Sequence, residues 1–356
     1  MNKRKLFIFS TFIVVFFSCF QVIAQSRNNK KAALDPVEEA IDAGLTYLYT
    51  VQRDDGSYPE KFGDNGAISA LAGMAFLAKG YTPDDGLYGE SIVKSVEYIL
   101  KIASEEGYFG TVHNDNGQMY VHSICTLFLS EVSGMVNPEL QEKLDELLPK
   151  AIKILLDAQN VRKDDWHKGG WRYRPNSTDS DMSCSGWALM ALRSCRLNGG
   201  RVPSNAIDRA VEYVRRHQHR EQGFFMYQNG DNSRAVTLSG AGILCLELCG
   251  RHNDPASLNA TRYLLRHYDS LRNQEFKFYG IYYTAQGLFQ IGGDAWRIYY
   301  DWMRTTLVPW QQRNGSWKGH GNEDSGPYST SLMVLAFTVP YRQLPIYQRD
   351  ETVDED

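Results

Sequence analysis

Two aspartates near the middle of the chain are the residues best suited to acid–base chemistry. Asp179 and Asp181 lie in the string Thr178 to Ser183, directly before an apolar segment. Such a segment predicts a helix, so Asp181 is either a catalytic acid or the N-cap of that helix, a position that aspartate favours. A hydrolase would need a second carboxylate across a cleft, and Asp324 is the nearest candidate.

Aromatic, basic and imidazole side chains form a second set of candidates, for ligand binding. They are His122, Trp171, Arg172, Tyr173, Arg234, Tyr279, Tyr282, Tyr283 and Trp317. A pocket of this composition can stack on sugars or hold an acidic ligand. A polysaccharide lyase would draw its base from Tyr282, Tyr283 or His122. It would neutralise the uronate with Arg172 or Arg234.

A glycine followed by an aromatic residue recurs along the chain. The instances are Gly56-Ser57-Tyr58, Gly107-Tyr108, Gly170-Trp171, Gly223-Phe224 and Gly315-Ser316-Trp317, with a degenerate copy expected near Phe276 to Gly280. A period of this kind indicates repeated supersecondary units. If it is structural, Trp171 and Trp317 brace neighbouring repeats, which is the alternative to a ligand-binding role. For His122, the alternative is a core histidine.

Apolar and amphipathic segments alternate after these loops. The apolar ones span residues 68–78, 120–132, 183–195, 236–249, 282–291 and 329–339. The amphipathic ones span residues 37–52, 91–103, 140–159, 206–217, 257–268 and 295–311. Helices that are apolar all round are buried on every side, whereas amphipathic helices bury one face. Six such hairpins can bury all their apolar members by closing into a ring. The sequence therefore predicts an all-α (α/α)6 toroid over residues 33–345, with the apolar helices inside. Parallel inner helices would converge their N-termini at one end, which favours an anionic group there.

The N-terminal residues predict that the protein is exported. Lys3, Arg4 and Lys5 precede an apolar run from Leu6 to Phe20 and a small-residue cut site at Ala24, which is typical of a secretory signal peptide. We expect residues 1–24 to be removed, and residues 25–32 and the acidic tail 346–356 to be disordered. An uncleaved anchor and a lipoprotein cut before Cys19 are the alternatives. The expected location is periplasmic or extracellular, with no membrane span in the mature chain.

Charge and cysteine content narrow the function further. The 356 residues carry a formal net charge of −4, whereas nucleic-acid-binding domains usually carry a basic excess, so we exclude that class. Five cysteines follow the signal segment: Cys125, Cys184, Cys195, Cys245 and Cys249. Their apolar surroundings favour buried thiols. Cys195 and Cys249 occupy equivalent positions in two apolar segments, so a Cys195–Cys249 disulfide is the alternative to five free thiols.

Several motifs resemble those of one known superfamily. Gln52-x-x-Asp55-Gly56-Ser57-Tyr58 and Gln312-x-x-Gly315-Ser316-Trp317 resemble the Q-x-x-x-G-x-W repeat of squalene and hopene cyclases. The stretches Gly169 to Tyr173 and Asp181 to Trp187 resemble the third repeat of the same superfamily. The chain is similar to bacterial exported prenyltransferase and squalene oxidase repeat proteins, within the terpenoid cyclase and protein prenyltransferase superfamily. This resemblance implies a toroid whose lumen accepts an extended apolar or isoprenoid-like ligand.

The catalytic motifs of that superfamily are incomplete here. Class II cyclases protonate an alkene with an acid of a D-x-D-D-T motif. One register puts Ser180 in the place of that acid, and the other puts Met182 in the place of the last aspartate. Zinc prenyltransferases use an Asp, a Cys and a His. Ser183 and Gly280 replace the last two, which leaves too few ligands for zinc. We therefore expect neither reaction, and no metal or cofactor.

Three functions stay open from the sequence. The first is a lumen that binds an isoprenoid-like small molecule without the superfamily's usual catalysis. The second is a carbohydrate-active lyase or hydrolase with a glycan ligand. The third is a non-catalytic interaction module of a cell envelope.

Overall fold

The computed structural model describes residues 35–59, 65–110 and 117–348, and its α-helices fall into two alternating sets. Within these ranges there are twelve α-helices and no β-strand. They are α1 (Pro36–Val51), α2 (Gly66–Lys79), α3 (Gly86–Ile102), α4 (Gln118–Val132), α5 (Pro138–Asn160), α6 (Met182–Leu197), α7 (Ser204–Arg216), α8 (Ala235–Leu248), α9 (Pro255–His267), α10 (Lys277–Ile291), α11 (Gly293–Trp302) and α12 (Gly326–Thr338). The predicted signal peptide (residues 1–24), the stretch 25–32 and the residues after 348 lie outside the described part.

The chain divides into two compact units at Glu39. Of the described residues, the first unit holds only Asp35 and the first turn of α1, where the Asp35 carboxylate accepts the N–H of Val37 over 3.0 Å. The second unit runs from Ala40 to the C-terminus and contains all the architecture that follows. None of the helices in the described ranges combines the length and the hydropathy that a bilayer span requires.

The even-numbered helices form a closed ring. Each packs against the next, and α12 packs against α2. Helix α2 is buried at every residue from Gly66 to Ala78, whereas α7 buries Ile207, Val211 and Val214 and exposes its opposite face. Since each inner helix is reached through an outer one, the inner helices run parallel. The (α/α)6 toroid predicted from the sequence is confirmed.

Glutamine side chains tie successive outer helices together. Each donates from Nε2 to a carbonyl at the start of the next outer helix: Gln52 to Ser91 (3.0 Å), Gln159 to Ala206 (2.8 Å), Gln218 to Ala256 (2.7 Å) and Gln311 to Ala40 (2.7 Å). The bond from Gln311 joins the last repeat to α1 and closes the outer ring. It also corrects the motif, because Gln311 rather than Gln312 is the repeat glutamine.

The repeat glycine and its aromatic partner lie two residues apart. The repeat glycines all have positive φ and are Gly56, Gly107, Gly169, Gly223 and Gly315; their buried aromatic partners are Tyr58, Phe109, Trp171, Phe225 and Trp317. The sequence-based prediction was therefore wrong by one residue in three places. It took Gly170 for the repeat glycine, and Tyr108 and Phe224 for the repeat aromatics. The glycine is required because a Cβ at Gly169 would lie 2.3 Å from the carbonyl oxygen of Arg209 on the next outer helix.

The chain after α12 folds back onto the ring. A 3-10 turn at Pro345–Tyr347 contacts α6, and Leu344, Ile346 and Tyr347 are all buried. The packed structure therefore includes Ile346 and Tyr347, which the sequence analysis had assigned to the tail.

Candidate functional site

Asp181 is the N-cap of α6 and is fully buried. Its Oδ1 accepts the N–H of Cys184 (2.9 Å) and the hydroxyl of Ser183 (2.6 Å), and its Oδ2 accepts Nη1 of Arg172 (2.9 Å). Burial raises the pKa of Asp181, and these three donors oppose that rise by stabilising the carboxylate. The structure therefore shows the N-cap alternative for Asp181, with Arg172 paired to the same carboxyl group.

Arg172 connects Asp181 to the opening of the ring. Its Nη1 also donates to the hydroxyl of Tyr227 (2.9 Å), and its Nε lies 3.3 Å from Oδ2 of the half-exposed Asp179. The hydroxyls of Tyr227 and Tyr173 share a hydrogen bond of 2.5 Å. The two predicted acids, Asp179 and Asp181, are therefore both bound to one arginine.

Two arginines alternate with three aromatic rings at the N-terminal ends of α6, α8 and α10. The Arg172 guanidinium lies 4.1 Å from the ring centre of Tyr173 and 5.5 Å from that of Tyr227. The Arg234 guanidinium lies 4.7 Å from the ring centre of Tyr227 and 4.5 Å from that of Phe276. We call these five residues the arginine–aromatic ladder. Arg172 is already paired with two carboxylates. Arg234 has none within ion-pair distance in the described ranges, so it and the helix N-termini are the features that favour an anion.

Tyrosine hydroxyls lie just inside the ladder. The Tyr120 hydroxyl is hydrogen-bonded to Ser183, which in turn donates to Asp181. The rings of Tyr279 and Tyr283 on α10 have centroids 4.6 Å apart, and both side chains are buried. Within the described part of the chain, neither hydroxyl has a hydrogen-bond partner beyond the other. Because buried hydroxyls are normally hydrogen-bonded, this pair is a candidate contact for a ligand.

A layer of stacked aromatic side chains crosses the interior of the ring next to these hydroxyls. Trp187 of α6 stacks on Tyr282 of α10 with a centroid distance of 5.5 Å and an interplanar angle of 10°, and it meets Tyr283 edge to face. The Tyr282 hydroxyl is hydrogen-bonded to that of Tyr347 (2.6 Å). Helix α8 lies between α6 and α10 in the ring order, so this contact spans the interior. We call Trp187, Tyr282 and Tyr347 the aromatic layer.

His122 has a structural position in its repeat. Its Nδ1 accepts the N–H of Phe109 (3.4 Å) and its Nε2 donates to the carbonyl of Ala151 (3.1 Å). The hydroxyls of Ser185, Ser239 and Thr330 accept the equivalent N–H in three other repeats. Burial lowers the pKa of His122 to about 4, so it is neutral. This arrangement fits the core-histidine alternative.

Trp171 and Trp317 also make repeat contacts. Their indole N–H groups donate to the carbonyls of Leu155 and Leu307, each over 2.8 Å, and both rings are buried. The bracing alternative therefore accounts for both residues.

The carboxylate at the end of the sixth loop is not the one that the sequence singled out. Asp324 is exposed, whereas the adjacent Glu323 is buried and accepts the N–H groups of Phe278 (3.1 Å) and Tyr279 (3.0 Å). Burial raises the pKa of Glu323 to about 7. The sequence did contain a signal for this cap. The fifth repeat lacks a glycine–aromatic loop, which leaves the N-terminus of α10 without a capping residue of its own.

A groove lies beside the ladder, between the start of α10 and the sixth loop. It has a volume of about 470 Å³ and is lined by Trp310 and three cationic residues, Lys277, Arg313 and Lys318. Nζ of Lys277 lies 5.3 Å from the ring centre of Trp310. Lys277 follows Phe276 in the chain, so the groove extends the positive charge of the ladder.

The five described cysteines are free thiols, so the structure does not contain the Cys195–Cys249 bridge. The physical reason is the rotation of the repeat. The Cys195 thiol faces Ser130 and Glu131 of α4, whereas the Cys249 thiol faces Arg193 of α6. Side chains at equivalent positions of successive repeats point in the same direction around the ring. The two thiols therefore do not face each other. Among the described residues, no group of three His, Cys, Asp or Glu side chains could hold a metal ion.

Comparison with known proteins places the fold. No protein-family model matches the chain, and no curated protein sequence matches it. Among solved structures, the type II terpene cyclase MstE from Scytonema is similar, with a TM-score of 0.54 and 14% identity, over 88% of this chain and 100% of that one. A variant of MstE in complex with geranylgeranyl dihydroxybenzoate gives a TM-score of 0.59 and 13% identity, over 87% and 99% of the two chains. A protein from Actinoplanes gives 0.53 and 13%, over 85% and 98%. At these identities the likeness shows the fold, which is that of a terpene-cyclase-type helical toroid.

Proposed function

We propose that this protein binds a small amphiphilic acid at the N-terminal end of its inner helices. The anionic head pairs with Arg234, because Asp179 and Asp181 already pair with Arg172, and the apolar body lies against the aromatic rings of the ladder. The observation that carries the proposal is the ladder, in which both guanidinium groups flank Tyr227 at distances of 5.5 and 4.7 Å. Arginine is suited to this task, because its planar fork matches a carboxylate while its face stacks on an aromatic ring.

The state of Asp181 argues against cyclase chemistry. Protonation of an alkene needs a carboxylic acid that keeps its proton until the substrate arrives. Both oxygens of Asp181 already accept hydrogen bonds, and Oδ2 is paired with a guanidinium. We therefore assign the carboxylate to holding Arg172 in place and expect no cyclisation of an isoprenoid chain.

The isoprenoid character of the ligand is supported by the fold neighbour. A variant of MstE was solved in complex with its substrate geranylgeranyl dihydroxybenzoate, a compound that joins an isoprenoid chain to an aromatic acid. An acid head and an apolar body are the two chemistries that Arg234 and the aromatic rings of the ladder would receive here.

Calorimetric titration with geranic acid and with geraniol, which share a chain but differ in charge, tests the proposal. We expect the acid to bind at least tenfold more tightly than the alcohol, and Arg234→Gln to abolish that difference. Arg162→Gln, an exposed arginine in a neighbouring loop, is the matched control and should leave both affinities unchanged. Binding of neither compound would reject the proposal, as would equal binding of both by the unsubstituted protein.

An acidic glycan is the second candidate ligand, favoured by the groove beside the ladder. Trp310 offers a platform for a sugar ring, and Lys277, Arg313 and Lys318 can pair with carboxylates. Oligogalacturonate is the probe. Binding that depends on Lys318 would support this candidate, and release of an unsaturated product would add lyase activity. Binding equal to that of a neutral oligosaccharide would exclude it.

We further propose that the protein works outside the cytoplasm, as the basic and apolar residues at its start predict. Mass spectrometry of the protein recovered from the periplasm or the medium should show a chain that begins at Gln25. A cytoplasmic chain with an intact N-terminus would contradict this.

A further inference from the structure

We infer that residues 344–347 form a latch that neutral Glu131 holds against the ring, and that this latch detaches when the carboxyl group loses its proton. The inference goes beyond the proposed function, because it concerns the opposite end of the inner helices and requires no ligand. Glu131 is the second-last residue of α4, and the 3-10 turn Pro345–Tyr347 contacts α6. We call residues 344–347 the C-terminal latch.

Three hydrogen bonds attach the C-terminal latch to the ring. The N–H of Ile346 donates to Oε2 of Glu131 on α4 over 3.1 Å. The hydroxyl of Tyr347 is hydrogen-bonded to that of Tyr282 over 2.6 Å, and its carbonyl accepts Nε2 of Gln290 over 2.8 Å, both on α10. Ile346, Tyr347 and Glu131 are all buried. The latch therefore separates the Glu131 carboxyl group from water at the oxygen that meets Ile346.

Glu131 is a buried carboxyl group without a cation. Its Oε1 lies 2.5 Å from the hydroxyl of Ser194, which is itself 2.9 Å from the hydroxyl of Ser130. Within the described ranges, no lysine, arginine or histidine pairs with it. A neutral carboxylic acid satisfies these contacts, because its O–H can donate to Ser194 while its carbonyl oxygen accepts the N–H of Ile346. An ionised carboxylate would be a buried charge without a counter-ion, which is costly.

The other ionisable groups that face Glu131 stay neutral between pH 6 and pH 8. They are Cys195 on α6, Tyr282 on α10 and Tyr347 in the latch itself. Burial raises the pKa of all three groups, whose ordinary values already lie above about 8. Burial raises the pKa of Glu131 to about 7. Glu131 is therefore the group of this cluster that changes its charge near neutrality.

Release of the latch hydrates the carboxyl group of Glu131. Its pKa then falls from about 7 toward the ordinary value of 4.5. The latched state binds the proton more tightly, so latching is strongest below pH 4.5 and weakens as pH rises through 7. For a released carboxyl group that is fully hydrated, the latching equilibrium constant falls about tenfold between pH 6 and pH 8.

Hydrogen–deuterium exchange of the full chain at pH 6 and pH 8, corrected for intrinsic exchange rates, tests the inference. The readout is the protection of the backbone amides in residues 344–348, with those of α2 and α8 as an internal reference. In the unsubstituted protein, protection of the latch should fall about tenfold from pH 6 to pH 8. The reference helices should stay at least tenfold better protected than the latch at both pH values, because the latch opens without global unfolding.

Three variants show whether Glu131 is responsible. Glu131→Gln is neutral at both pH values and should remove the difference between them. Glu323→Gln is the matched control, since it replaces another buried carboxyl group whose pKa is raised to about 7, and it should keep the difference. Tyr347→Phe loses the hydrogen bond to Tyr282, so its latch should be less protected at both pH values with the tenfold ratio retained.

Several results would overturn the inference. Equal latch protection at the two pH values does so, and so does protection that rises with pH, because the ionised carboxylate would then hold Ile346 more tightly than the neutral acid. A loss that persists in Glu131→Gln assigns the effect to another group. Latch amides as well protected as those of α2 and α8 would show that the segment opens only on global unfolding. Circular dichroism identifies any variant that does not fold, and the unsubstituted protein decides the direction without a variant.

Discussion

Arg172 donates one guanidinium nitrogen to two partners at the same distance, Oδ2 of Asp181 and the hydroxyl of Tyr227, both at 2.9 Å. A single side chain therefore joins the N-cap of α6 to the loop that precedes α8. The carboxylate is completely buried, and the guanidinium reaches the opening of the ring. The same ion pair therefore contributes to stability and orients a member of the proposed binding site.

Replacing the arginine and replacing the aspartate of this ion pair should have unequal effects on the free energy of unfolding. Arg172→Met leaves a buried carboxylate without its cation and should cost about 3–5 kcal/mol of unfolding free energy. Asp181→Asn keeps an oxygen that accepts the N–H of Cys184 and should cost only about 1–2 kcal/mol. Urea unfolding measures both, with Arg162→Met as the exposed control. Equal losses in the two variants would show that the carboxylate is not ionised in the folded protein.

The repeat glycines should be far less replaceable than other glycines of similar backbone conformation. Gly315 has φ +86°, and a Cβ there would lie 2.2 Å from the carbonyl oxygen of Ala43. Gly230 has φ +77° and open space around it. Gly230→Ala should cost only the left-handed backbone strain, about 1–2 kcal/mol. Gly315→Ala adds a clash with the backbone and should cost more than about 3 kcal/mol. Similar urea midpoints for the two variants would be evidence against a tight contact between the last repeat and α1.

Ring closure can be tested through the glutamines. Gln311→Ala removes hydrogen bonds to Ala40 and Gly315, and Gln218→Ala removes the equivalent pair to Ala256 and Gly223. In a closed ring the two variants should lose similar stability, about 1–3 kcal/mol each. Gln312→Ala, at the exposed neighbouring position, should lose little. Chemical denaturation of the three variants makes the comparison, and an open arc would tolerate Gln311→Ala as well as it tolerates Gln312→Ala.

Glu131 should lower stability as pH rises through 7. The buried His122 and His217, whose pKa burial lowers to about 4, contribute in the opposite sense, mainly below pH 6.5. Burial raises the pKa of Glu131 to about 7 from an ordinary value near 4.5. The folded state therefore holds the proton more tightly than the unfolded state. The associated stability is fully present below about pH 4.5 and is lost as pH rises through 7, on the order of 3 kcal/mol in total.

The ionisable groups that face Glu131 do not titrate in that window. Burial raises the pKa of Cys195 to about 12 and also raises the pKa of Tyr282 and Tyr347. Glu131→Gln should therefore flatten part of the decline between pH 6.5 and 8, and Glu323 should account for a further part. Thermal melts across this range give the slope, with the exposed Glu142→Gln as control. An unchanged slope in Glu131→Gln would mean that Glu131 is ionised throughout.

The helices and their order were predictable because they depend on local patterns. Apolar residues all round α2 and α8, and along one face of α7, determine which helices are inner and which are outer. The register of the motifs was less predictable. Tyr108 and Phe109 are both aromatic and directly follow Gly107 in the chain, so composition could not show which of them is buried against the repeat.

The sequence predicted which residues belong to the candidate site but not how they pair with one another. Arg172, Tyr173, Asp181 and Arg234 were all identified as candidates, and the structure brings them together around Tyr227. The role of Glu323 was missed, since the only sign of a carboxylate that caps a helix 44 residues away in the chain is the missing loop before α10.

By itself, the amino-acid sequence determined the six helical hairpins, the closed ring and the convergence of polar side chains at one end. These follow from periodicity and from the need to bury apolar faces, both of which can be read over a few turns of chain. Only the tertiary structure decided which carboxylates are paired, that Cys195 and Cys249 face different helices, and that Tyr347 reaches Tyr282 inside the ring. Those relations join residues that are remote in sequence, and they depend on how far each hairpin is rotated against the next.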